Sequence, residues 1–173
     1  MFSFYKRHNS QLYNKLVQLS RNIFFYNKMG LKDDFQTRVI LIFIHLSIIL
    51  IILKNKKIKL PQEIYDNIFL NIEYNLRELG DGDVAVNKKM KILNKVFYDI
   101  LLKLNSSDSN KFKVIKNLRK KHLPIKSDSN DKIVLQIGEY LESFYDFCFE
   151  LKDKNMIKGE IDFKYYSYGC TKT

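Results

Sequence analysis

Proline and glycine are scarce in this 173-residue chain: two prolines and six glycines leave few breaks for the many tight turns of a β sandwich, which favours a helical globule. The two cysteines, Cys148 and Cys170, are too few and too isolated for a disulfide framework or a zinc site, so both are expected as reduced thiols. There is no CxxCH haem-attachment motif, no nucleophile elbow, no phosphate loop and no HExxH pair. The opening MFSFYKRHNS lacks the apolar core of a secretory signal. Chemistry that announces itself by a local motif is thereby excluded, and the chain is expected not to be an enzyme. No cofactor or metal is implied.

Acidic charge is also in the minority. The net charge is +11, and its distribution matters more than its sum. Residues 1–60 carry about +9, residues 61–104 about −1 and the remainder about +3. The basic clusters are Lys6 with Arg7, then Lys54, Lys56, Lys57 and Lys59. Such an excess suits an anionic partner, a membrane surface or a ribosome, but no arginine-rich or RNA-binding signature points to sequence-specific nucleic-acid recognition. A chain of this length suits one compact domain that buries about 70% of its unfolded surface.

Hydrophobic periodicity supplies the helices. Ser10 precedes an apolar stripe through Leu12, Leu16, Val17 and Leu19. After a short segment through Phe24, Phe25 and Tyr26, Asp33 or Asp34 is placed to cap a long helix that ends near Lys54. Its apolar stretch, VILIFIHLSIILIIL, has 15 residues. A membrane span needs about 20, so a buried central helix is expected. His45 lies inside it and is expected as a neutral, hydrogen-bonded core residue rather than a haem ligand.

Further along, a helix from Gln62 to Leu79 turns Ile64, Tyr65, Ile68, Phe69, Ile72, Leu76 and Leu79 inward. A second, from Val84 to Leu104, answers it with Met90, Leu93, Val96, Phe97, Ile100, Leu101 and Leu104. A short basic helix is expected near Lys111 to Lys121. Asp131 opens the last long helix, with Leu135, Tyr140, Leu141, Phe144, Tyr145, Cys148 and Leu151 at helical spacing. GEIDFKYYSY alternates as a short extended tail does. The expected fold is thus all-α: a single-domain irregular helical bundle, with an N-terminal arm over residues 1–9, a helical domain over 10–155 and a C-terminal tail over 156–173.

The stretch LRELGDGDVAVNKKM, Leu76 to Met90, joins two of these helices and carries more charge than a turn requires. Gly80 can take the left-handed conformation that closes a helix, and Asp83 can accept backbone N–H bonds as the cap of the next. Glu78 stands in the last turn, where the helix dipole disfavours an acid by roughly 0.3–1 kcal/mol, so a partner is expected for it. Arg77, Glu78, Asp81, Asp83, Lys88 and Lys89 can meet at one corner. The Asp-Gly-Asp triplet lacks the other ligands of a calcium loop and is read as cap and turn.

These residues resemble the hallmark of the ubiquinol-cytochrome c chaperone family: Leu76, Arg77, Glu78, Leu79, Gly80, Gly82, Asp83, Val84, Val86, Lys88, Lys89 and Met90, followed by Phe97 and Tyr98. A second segment, LVQLSRNIFFYNKMGLKDDFQTRVILIFIH, is similar to the family's pattern at Ser20, Arg21, Phe25, Tyr26, Gly30, Asp33, Arg38 and His45. Weaker similarity continues through VIKNL around Asn117 and GEIDF. The chain departs from the pattern at Ile23, Asp34, Thr37 and Ile44.

The resemblance implies a chaperone for assembly of respiratory complex III, with newly made cytochrome b or another subunit of that complex as client. A small protein partner is also implied. The expected partner-binding residues are Arg21, Tyr26, Asp33, Arg38, Arg77, Glu78, Asp81, Asp83, Lys88, Lys89 and Tyr98. The expected location is peripheral, on the cytoplasmic face of a bacterial inner membrane or the matrix side of a mitochondrial one. The alternative is a basic helical protein tethered to a membrane or ribosome with another client; its binding would weaken sharply with salt.

Overall fold

The computed structural model describes residues 10–106, 111–123 and 131–165. Among these are seven α-helices: α1 (Gln11–Ser20), α2 (Phe35–Asn55), α3 (Gln62–Glu78), α4 (Asp83–Asn105), α5 (Lys111–His122), α6 (Asp131–Glu150) and α7 (Asp153–Ile157). One π-helical turn, Phe24–Lys28, lies between α1 and α2. The all-α bundle expected from periodicity is therefore present. The arm over residues 1–9 and the last eight residues of the tail lie outside the described residues.

Local chemistry sets the helix starts. Ser10 accepts the Tyr13 amide and opens α1. Asp34 accepts the Thr37 amide at 2.8 Å and opens α2. The departure from the family pattern at Asp34 therefore keeps a working cap, because the side-chain oxygen satisfies an orphan N–H of the first turn.

α2 is the axis of the molecule. By length and composition it could cross a membrane, yet 78% of its most apolar window is covered by protein. α1, α4 and α6 pack around it. It is apolar on nearly every side because it is covered on nearly every side, and each fully buried Ile or Leu contributes about 1.5–3 kcal/mol.

Contacts along the chain fix the helix directions. His45 meets Tyr140 and Asn55 meets Tyr145, so α2 and α6 run the same way. Tyr65 lies by Tyr98 while Arg77 meets Asp83, so α3 and α4 are antiparallel. One end of the bundle therefore gathers the π-turn, the start of α2 and the α3–α4 turn. The other end gathers the α2–α3 turn and the ends of α4 and α6.

Three expected facings are corrected. Leu79 follows the last turn of α3 and is 64% exposed, and Leu135 on α6 is 54% exposed. Each keeps helical spacing with its neighbours but falls outside the arc that another helix covers. Lys56, grouped by sequence with the solvent-facing lysines, turns inward: Nζ donates to the Leu151 carbonyl and Asp153, and lies 5.2 Å from the centroid of the Phe149 ring. The tail begins with α7, and beyond it Ile161 is buried and Phe163 packs on Tyr140, Phe144 and Phe147.

Candidate functional site

The α3–α4 corner is built as two halves of one turn. Gly80 adopts φ +97°, while the Asp81 amide reaches back to the Leu76 carbonyl and the Gly80 amide to that of Arg77. This pattern of reverse hydrogen bonds closes a helix with a left-handed residue, and a Cβ there would meet nothing, so the glycine is selected for φ alone. Asp83 departs from expectation. Gly82 is the N-cap of α4 without a side-chain cap bond, and Asp83 is the first helical residue. Its carboxylate receives Nη1 of Arg77 instead, while Nη2 of Arg77 holds Glu73 at 2.8 Å. An acid in the first turn still faces the positive end of the helix dipole.

Lys89 pairs with Asp81 at 2.6 Å, so four of the six corner residues form two ion pairs across the turn, with Glu73 added. Glu78 lies within electrostatic reach of the Tyr13 hydroxyl. Lys88 is exposed on α4. The hydrogen bonds that hold Arg77 to Glu73 and Asp83 push its guanidinium further toward the charged form.

The second motif forms a neighbouring cluster. Oδ1 of Asp33 accepts from both Nε and Nη2 of Arg38, at 2.8 and 2.7 Å. Tyr26 donates to the Ser20 carbonyl at 2.6 Å; burial, then the nearby Asp33 charge, pushes its hydroxyl pKa upward. Arg21 acts electrostatically on both Tyr26 and Tyr13, and Tyr13 accepts from Asn75 of α3 at 2.6 Å. Tyr13 thus links the two clusters at one end of the bundle. Tyr98 stands apart, beyond three turns of α4.

Two open grooves lie on either side of the C-terminal half of α4. The larger, of about 690 Å³, has a floor of Ile48, Ile51, Leu104, Val114, Ile115 and Leu141. Lys103, Lys111, Glu142 and Asp146 stand at its edge, with Lys111 and Glu142 paired at 3.2 Å. The second, of about 590 Å³, is floored by Leu50, Leu53, Ile58, Leu60 and Phe97 and edged by Lys54, Lys57, Lys59, Tyr65 and Tyr98. The Tyr65 and Tyr98 hydroxyls are 3.5 Å apart, and burial followed by that contact pushes Tyr65 upward.

Of the partner-binding residues expected from the sequence, only Tyr98 lines either groove. The walls of the larger groove went unremarked because they come from four helices and no local spacing joins them. One signal was readable: α5 places Val114, Ile115 and Leu118 on one side of an otherwise basic helix.

Among the described residues no group of three or more His, Cys, Asp and Glu side chains could hold a metal. His45 is fully buried, with Nδ1 2.6 Å from the Leu41 carbonyl and Nε2 2.8 Å from the Tyr140 hydroxyl. Since a carbonyl only accepts, Nδ1 carries the proton and Nε2 accepts from Tyr140. Burial lowers the pKa of His45 to about 4, the Leu41 bond opposing it only in part. Burial likewise pushes the Cys148 thiol up to about 12, which keeps it protonated.

The helical order, the paired turn and the open apolar grooves can be set beside known proteins. The ubiquinol-cytochrome C chaperone model matches residues 27–163, which takes in the α3–α4 corner, the Asp33–Arg38 pair and the groove walls. The chain belongs to the ubiquinol-cytochrome c chaperone family. Membership supports the role of a chaperone in complex III assembly. The crystal structure of the Cbp3 homolog from Brucella abortus shares this fold, with a TM-score of 0.71 at 24% identity over 90% of this chain and 87% of that one. No curated protein matches the chain.

Proposed function

We propose that this chaperone is non-enzymatic and shelters an apolar segment of newly made cytochrome b in the groove between α2, α4, α5 and α6. The family supplies the complex, and the groove carries the choice of client. A segment destined for a bilayer presents aliphatic side chains at helical spacing, and an open apolar trough with a charged edge receives such a face as a helix-in-groove complex. The floor of Ile48, Ile51, Leu104, Val114, Ile115 and Leu141 has that character. The protein then works peripherally, on the cytoplasmic side of a bacterial inner membrane or the matrix side of a mitochondrial one. Arg21, Tyr26, Asp33 and Arg38, with Arg77, Glu78, Asp81, Asp83, Lys88 and Lys89, form a second contact end, for the client or for a small protein partner.

A crosslinking pull-down from native membranes tests this. Wild-type protein is expected to recover cytochrome b. Ile51→Glu, which sets a carboxylate in the groove floor, is expected to reduce recovery about tenfold or more with little change in melting. Equal recovery by that variant would remove the groove from the mechanism. Loss of capture in Arg77→Ala or Asp83→Ala, with melting unchanged, would give the corner its role; no change in either would leave it a structural turn. Recovery of no complex III component would overturn the proposal, and recovery of ribosomes or anionic lipid alone would favour a basic tether with another client.

A further inference from the structure

The outer face of α4 takes in Val84, Lys88 and Tyr98 of the hallmark, and its composition is unusual for a solvated surface. Val84, Lys88, Lys91, Ile92, Lys95, Tyr98 and Leu102 all fall within an arc of about 120° at 100° per residue, along a length of about 27 Å. Val84 is 84% exposed, Ile92 55% and Leu102 69%. The three lysines between them have no carboxylate partner among the described residues. At the Tyr98 end the face meets Lys54 of the last turn of α2 and Lys57 and Lys59 of the α2–α3 turn, which line the same groove edge as Tyr98. Asp99 falls within the same arc, but its carboxylate is already held by Lys103, Lys121 and His122, toward α5.

Lys57 adds an independent observation. It has φ +58° and closes α2 with the reverse bonds Ile58 to Leu53 and Lys57 to Lys54, the position where glycine is preferred. A lysine there is strained, and strain retained at an exposed loop points to a use for the side chain.

We propose that the outer face of α4 and the α2–α3 turn form one docking surface for an anionic lipid bilayer. Lysines meet the headgroups, Val84, Ile92 and Leu102 enter the acyl boundary, and Tyr98 sits at the interface with its hydroxyl toward the headgroups. Interleaved exposed aliphatics favour a bilayer over RNA, whose phosphates would reward the lysines alone. Bound this way, the protein holds its larger groove beside the surface from which a membrane client emerges. The inference deepens the peripheral placement given above, but its test contains no client, so its failure is separate from failure of the cytochrome b reading.

The test is flotation of the purified full chain with phosphatidylcholine vesicles, made with and without phosphatidylglycerol as one lipid in three. Binding is expected only to the anionic vesicles. At about fivefold per lysine, Lys91→Gln with Lys95→Gln is expected to weaken it about thirtyfold. Ile92→Ser with Leu102→Ser is expected to weaken it at high salt as well as low. Lys57→Gly is expected to raise the melting temperature and yet weaken binding about fivefold, a pairing that a general loss of fold cannot produce. Lys152→Gln with Lys158→Gln, on the α7 side, removes the same charge and should leave binding intact. Equal loss in that control, retention in the α4 variants, or no vesicle binding by the wild type would each overturn the proposal. So would lysine-dependent binding to single-stranded RNA without binding to vesicles.

Discussion

A histidine sealed among isoleucines and phenylalanines must fold without its charge, and His45 does so with both ring nitrogens satisfied. Its pKa falls from 6.5 to about 4 because burial penalises the cation. Between those values the unfolded chain binds a proton that the folded chain refuses, so stability falls as pH drops from about 6.5 to about 4. The loss approaches about 3 kcal/mol at the lower limit. Urea titrations between pH 7 and pH 4.5 should show the midpoint moving down through this window. The dependence should be absent in His45→Gln, whatever that substitution costs at pH 7. A midpoint that does not move in the wild type would remove the buried neutral imidazole. The neutrality of His45 was legible from the apolar run around it. Its partner was not, because Tyr140 lies 95 residues away and no periodicity links the two.

At the level of elements, the long helices were legible because each combines a polar start with a wide apolar arc. What sequence reasoning missed has physical causes. A helix pattern gives the direction of a side chain but not the extent of its neighbour, which is why Leu79 and Leu135 point outward. Capping chemistry near Asp83 was ambiguous because Gly82 and Asp83 both suit a helix start, and Arg77 draws the carboxylate away from the amides. α7 has only five residues, too short for periodicity to register. Its anchor is a close approach: Gly159 has φ +75°, and a Cβ there would lie 2.8 Å from the Gln11 carbonyl oxygen and the Leu12 Cα. Gly159→Ala therefore meets backbone as well as an unfavourable φ, and should destabilise the protein by about 2 kcal/mol or more. Denaturant melts give the loss, and hydrogen exchange should place it at α1 and the tail. A variant as stable as the wild type would show that the tail is not held at this point.

On the scale of the whole molecule, α4 joins the surfaces proposed to carry function: the charged corner at its start, the lysine face along its outside and a groove on each side of its end. The corner could be identified from sequence because it is local; the larger groove could not, because four separated helices supply it. What keeps α5 against α4 at that groove is Asp99, whose carboxylate accepts from Lys103 at 2.9 Å, Lys121 at 3.1 Å and Nε2 of His122 at 2.6 Å. Burial opposes its charge, but the three hydrogen bonds outweigh burial and hold its pKa well below the ordinary carboxylate value. Its contribution is thus fully present above the unfolded value of about 3.9 and is lost as pH falls below it, a window distinct from that of His45. Asp99→Asn keeps the shape and removes the charge, and should cost about 1–3 kcal/mol at pH 7. Because the tie closes one wall of the groove, amides of α5 should exchange faster and cytochrome b capture should fall. Binding to anionic vesicles, which rests on the lysines and exposed aliphatic side chains of α4 rather than on the α5 wall, should persist. Unchanged exchange in α5 would show that the groove is held by packing of Ile115 and Leu118 alone, and capture lost without faster exchange would place Asp99 in contact with the client rather than behind the wall.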